Sequence, residues 1–122
     1  MTISLEEAIL AIESEGFKRT HKTEKVSEYE SDHSGRVLYL RLDQGFPRHA
    51  DVVIDPIVPL SSLIAVPEVE LSRRGELRFG SNMTRFPKAT NEGTEPEHYG
   101  RILNAFTADA LKNLCHVYSQ LP

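Results

Sequence analysis

Arg36-Val-Leu-Tyr-Leu-Arg-Leu42 and, seven residues later, Ala50-Asp-Val-Val-Ile-Asp55 decide the fold. Successive side chains of a strand point to opposite faces. Leu38, Leu40 and Leu42 therefore share one face, and Ala50, Val52 and Ile54 share one. Pairing Leu42 with Ala50 turns both sets toward a core. The same pairing sets Arg41 opposite Asp51 and Tyr39 opposite Val53 on the other side. A slip of one residue would bury Arg41 or Asp51 in that core, so the parity is well determined.

Working outward, residues 43–49 contain Gly45 and Pro47 and form the connecting loop. Upstream, residues 17–22 and 26–31 are rich in Val, Tyr and Thr and read as two more strands. Asp32-His33-Ser34-Gly35 is a turn signal between the second and third strands. Before them, Ser4 and Glu7 have capping-box spacing, and Leu5, Ala8, Ile9 and Ile12 recur at helical period. Gly16 stands where a left-handed residue ends that helix. Downstream, Pro56 and Pro59 close the fourth strand, and residues 69–72 and 76–79 form two weaker strands joined at Arg73-Arg74-Gly75. Residues 80–100 show little periodicity, and a loop of that length is either functional or a misread element. Residues 101–106 fit a last strand or a helix start. Thr107 then caps a C-terminal helix with Leu111, Leu114, Cys115 and Tyr118 on its apolar stripe. The expected class is α+β: one domain over residues 1–122, with an antiparallel sheet of about five or six strands packing one face on an N-terminal and a C-terminal helix.

Composition narrows the function classes. The chain has 122 residues and a net charge of -4. Its one Cys excludes an internal disulfide framework and any multi-cysteine zinc site. No metal or other cofactor is expected. The apolar runs fall far short of the roughly 18 residues that span a bilayer, and residues 1–15 carry four Glu and no Lys or Arg, unlike a signal peptide. The expected setting is the cytoplasm, away from membranes. The acidic balance argues against nucleic acid as the main partner. Charge is unevenly distributed, with five bases and one acid across residues 73–91 and an acidic excess elsewhere.

Turning at residues 32–35 brings Glu28 and Glu30 onto the same face as Tyr39, Asp51 and Asp55, with Arg41 among them. One reading is a wet sheet face with a cross-strand ion pair. The functional reading is an acidic docking face for a basic protein partner, as in an immunity or inhibitor protein, without catalytic residues. A different class of function would use His49 with the Glu97-His98-Tyr99-Gly100-Arg101 cluster as a small-ligand or acid–base site, if His49, Glu97, His98, Tyr99 and Arg101 converge. The same cluster could instead anchor the long loop. Cys115 on the helix stripe reads as a buried structural thiol.

Two stretches carry a resemblance. Arg48-His-Ala-Asp-Val-Val-Ile-Asp-Pro56 follows the Tyr39-centred strand. Phe86-Pro87 precedes Glu97-His98-Tyr99-Gly100, Phe106 and Ala110-Leu111. Together they resemble the YgaC-like family of small bacterial cytoplasmic proteins. That resemblance implies an antiparallel sheet with helices and an extended run over residues 100–106. It brings no catalytic residues with it.

Overall fold

A computed structural model of the chain describes residues 2–43, 46, 48–72, 77–90 and 95–121. Gly45, Pro47, the Arg73-Arg74-Gly75 junction and residues 91–94 lie outside them. The architecture is α+β. Helix α1 (Leu5–Ser14) leads into strands β1 (Phe17–Lys22), β2 (Val26–Ser31), β3 (Val37–Arg41) and β4 (Ala50–Ile54). A short helix α2 (Ser61–Ile64) and three-residue strands β5 (Val69–Leu71), β6 (Leu77–Phe79) and β7 (Lys88–Thr90) follow. The long strand β8 (Pro96–Ala105) and helix α3 (Ala108–Gln120) complete the fold.

All described strand pairings are antiparallel, in the order β1-β2-β3-β4-β8-β5. The second half of β8 lies between β4 and β5, and its first half is flanked by β6 and β7. Residues 80–100 are thus not one structureless loop. They contain β7 and half of β8, whose Gly, Pro and Glu residues mask the strand pattern. Residues 69–71 and 77–79 do form strands, but both pair with β8 and not with each other.

The register read from alternation holds. Leu38 faces Ile54, Tyr39 faces Val53 and Leu40 faces Val52. The core face of the sheet packs Leu38, Leu40, Val52, Ile54 and Leu103 against Ala8 and Ile12 of α1 and Leu111, Leu114 and Tyr118 of α3. In α1 the buried residues are Ala8, Ala11 and Ile12, while Leu5, expected on the stripe, is exposed. Cys115 is buried in α3, and burial pushes its thiol pKa up, which keeps it protonated and unreactive.

Local signals explain the helix ends. Ser4 Oγ accepts the Glu7 amide, and Glu7 Oε1 accepts the Ser4 amide, completing the capping box. Gly16 adopts φ +81°, a conformation L side chains rarely take. Thr107 Oγ1 accepts the Ala110 amide at the start of α3. Ser4→Ala is expected to lose about 1 kcal/mol of stability, the ordinary worth of such a cap. Urea unfolding would measure it, and an unchanged midpoint would mean that packing alone holds α1.

Candidate functional site

The second face of the sheet carries the acidic residues, and it is covered. Val26, Val37, Tyr39, Val53 and Ile102 project from it and pack with Met83 and Phe86 of the 80–88 segment into a second apolar cluster. Glu28, Tyr39 and Asp51 are buried beneath or beside that cover. The expected open acidic surface is therefore largely an interior one. Glu30 is only partly exposed, and Asp55 is half-buried at the margin.

The chain's own basic segment meets these acids. Arg85 Nη2 lies 2.6 Å from Glu30 Oε1, and Arg85 Nη1 lies 4.0 Å from Glu28 Oε2. The Tyr39 hydroxyl donates to Glu28 Oε1 at 2.6 Å and accepts the Arg85 amide at 3.3 Å. Thr20 Oγ1 donates to Glu28 Oε2 at 2.6 Å. Burial, and then the bond to Glu28, raise the Tyr39 pKa, so the phenol remains a donor. The segment 80–88 is thus bound through a buried hydroxyl, an ion pair and two apolar side chains. Apolar residues at outward parity, namely Val26, Val37, Tyr39 and Val53, were the sequence signal for this cover. A solvated face would not carry four of them.

Asp51 organises the other end of this face. Arg41 and Asn104 are its cross-strand neighbours on β3 and β8. Asn104 Nδ2 donates to Asp51 Oδ1, and Arg41 Nη1 lies 3.4 Å from Asp51 Oδ2. Arg41 Nε also reaches Asp43 Oδ1 at 3.4 Å. His49 Nδ1 stands 2.7 Å from Asp51 Oδ1 but without hydrogen-bond alignment, and its ring meets Phe106 edge-on at 5.5 Å. Arg78 is partly buried. Desolvation, and then the charge of Arg41, lower its pKa. The row satisfies a buried carboxylate from several elements, as an interior charge requires.

The alternative set does not assemble. Asn104, the neighbour of Asp51, is six residues along β8 from His98, or ~20 Å at the usual strand rise. His49 and His98 therefore belong to different neighbourhoods, and no shared proton transfer joins them. His98 Nδ1 pairs with the Phe86 carbonyl at 2.7 Å. Tyr99 stacks on Phe79, with ring centroids 5.4 Å apart. Arg101 Nε donates to the Pro56 carbonyl, and Glu97 is exposed opposite Ala89. Gly100 leaves the space that Phe86 occupies. The Glu97-to-Gly100 cluster thus locks residues 79–88 onto β8.

What remains open is the other end of the sheet. β1 is the outermost strand beside β2, and Lys18, Arg19, Thr20, His21 and Lys22 are all exposed. Lys25 in the following turn is exposed as well. The Thr23 amide bonds the Val26 carbonyl, and the Asp32 amide bonds the Gly16 carbonyl. By antiparallel alternation, the main-chain groups of Arg19 and Lys22 then face away from β2. Lys18 pairs with Asp32 at 3.4 Å, both in solvent. Among the described residues, no group of three or more His, Cys, Asp or Glu side chains is placed to hold a metal ion, and no helix is long and apolar enough to cross a membrane. A scan against protein-family models matches none, and a search of curated proteins matches none.

Proposed function

We propose that the protein is a protein-binding module that receives an acidic, extended segment of its partner along the β1 edge. The observation that carries this reading is the edge itself, an outermost strand whose five residues from Lys18 to Lys22 are all exposed, four of them Lys, Arg or His. A free edge offers main-chain donors and acceptors for strand addition. The like charges of Lys18, Arg19 and Lys22 repel a second copy of the same edge, so pairing with an acidic strand is favoured over self-pairing. The break in register between Arg19 and His21 adds to that discrimination, since a bulged edge fits a matching strand and not a flat one. The partner's charge follows from this edge and not from Glu28, Tyr39 and Asp51, which are buried, the first two against the 80–88 segment.

The test uses an eight-residue peptide of alternating Val and Glu, with a Val/Lys peptide as control. Saturable binding of the Glu peptide alone, together with slowed amide exchange at Arg19 and Lys22, is the expected result. N-methylating alternate peptide nitrogens should abolish binding while leaving the charge intact. The double reversal Lys18→Glu with Lys22→Glu should slow association by about tenfold at low salt. Equal binding of both peptides, or slowed exchange elsewhere with β1 unaffected, would reject the edge.

A further inference from the structure

The bases of β1 stand on both faces of the sheet, and this sets the kind of acidic segment that the edge can take. Paired residues of antiparallel strands share a face. Lys18 lies opposite Glu30 and His21 opposite Glu28, so both stand on the face that carries Tyr39 and the second apolar cluster. Arg19 lies opposite Tyr29 and Lys22 opposite Ser27, which puts both on the face that packs the helices. The break in register falls between these two adjacent pairs, Lys18-Arg19 and His21-Lys22. We propose that the partner segment carries acidic residues at successive positions, so that its carboxylates meet both faces of β1, a match that rests on β1 being the docking strand.

The sheet's own acids do not serve these bases. Glu30, opposite Lys18, holds Arg85 at 2.6 Å. Glu28, opposite His21, accepts from Tyr39 and from Thr20, both at 2.6 Å. The cross-strand neighbours of Arg19 and Lys22 are a phenol and a hydroxyl, which offer no charge. Lys18 meets Asp32 at 3.4 Å, but both side chains stand in solvent, where such a pair contributes little, and the ammonium keeps further donors. Among the described residues, Arg19, His21 and Lys22 form no ion pair.

A strand added at the edge places its successive residues on alternate faces, beside the β1 residues they pair with. A segment whose acids alternate with neutral residues brings them all to one face. A segment with its acids in adjacent pairs brings them to both. From Lys18 to Lys22 the edge has no apolar side chain, so it offers nothing for the apolar face of an alternating strand to cover.

Two eight-residue peptides of one composition, four Glu and four Thr, are the test. In one, Glu and Thr alternate; in the other, the Glu residues stand in two adjacent pairs. Net charge and strand propensity are then equal, and only the distribution over the two faces differs. At low salt the paired isomer should bind the full chain about fivefold more tightly, within the range of two added cross-strand charge pairs. It should also slow amide exchange at Arg19 and Lys22. The double variant Arg19→Gln with Lys22→Gln changes two exposed side chains and should keep the fold. It should bring the paired isomer down to the affinity of the alternating one. Equal or weaker binding of the paired isomer, with exchange at β1 still slowed, would keep the edge and overturn the two-face match. No slowing at β1 with either isomer would reject the edge and the match together. An eight-nucleotide oligothymidylate that displaces the paired isomer at matched concentration would overturn the match in favour of nucleic-acid phosphates.

Discussion

Asp51→Ala is expected to destabilise the protein by about 4 kcal/mol, within the 3–5 kcal/mol typical of a buried ion pair that loses one partner. The carboxylate is buried, with Arg41 and Asn104 bonded to it from two different strands and His49 2.7 Å away. Alanine removes all of these contacts at once. Arg41 would keep Asp43 at 3.4 Å, which offsets part of its loss. Asn104 would keep a buried amide with no acceptor in the row, at roughly 1–3 kcal/mol for such a group. Asp51→Asn should be milder, because one oxygen can still accept from Asn104 while the charge opposite Arg41 is lost. Urea unfolding with an unchanged slope would report the difference as a midpoint shift. A loss below about 1 kcal/mol for Asp51→Ala would mean that water replaces the carboxylate, and that the row behaves as an exposed pair.

Much of the fold was legible, because alternation and caps are local signals. The parity of residues 38–42 and 50–54 gave the Arg41–Asp51 pairing, and Ser4, Gly16 and Thr107 marked helix ends where the structure places them. The strand over residues 96–105 was only half visible. Its first half holds Pro96 and Gly100, and its pairing partners β5, β6 and β7 are three-residue strands whose register depends on β8. The same non-local dependence hid the cover over the acidic face. Nothing within the 80–88 segment says which face it packs on. That is decided by Tyr39, by Arg85 with Glu30, and by His98 with the Phe86 carbonyl, at separations of 12 to 55 residues in the chain. The charge pattern did contain the answer. Five bases across residues 73–91 looked like a basic patch, and one of them, Arg85, is the partner of the acids on β2. The candidate residues grouped by sequence proximity, Glu97 to Arg101, alternate between two faces of β8 and so could not form one site. The exposed bases of β1 could be counted in the sequence, but that β1 is an edge strand is a fact of topology alone.

Gly100→Ala should lower stability by about 3 kcal/mol, at the upper end of the usual cost of overpacking. A Cβ built at Gly100 would stand 2.5 Å from Val53 Cγ1, 2.7 Å from the Ile54 carbonyl oxygen and 2.9 Å from Phe86 Cδ2. The Ile54 oxygen is main chain in a paired strand and cannot rotate aside. Relief of that contact therefore requires β4 and β8 to separate locally. The contact with Phe86 must open as well, and Phe86 moves readily, since it belongs to the cover and not to the ladder. Its displacement would strip the ring that packs edge-on against Tyr39 at 5.0 Å, and would expose the second apolar cluster. At the ordinary sensitivity of a domain this size, the melting temperature should fall by roughly 10 °C. Amide exchange should accelerate first at residues 83–88, ahead of β3 and β4. Val53→Ala in the same chain removes the closest clashing atom, so the double variant should be more stable than the sum of the two single losses predicts. If the two losses simply add, Val53 is not what Gly100 makes room for, and the fit of the 80–88 segment against β8 rests on the Ile54 carbonyl and Phe86 alone.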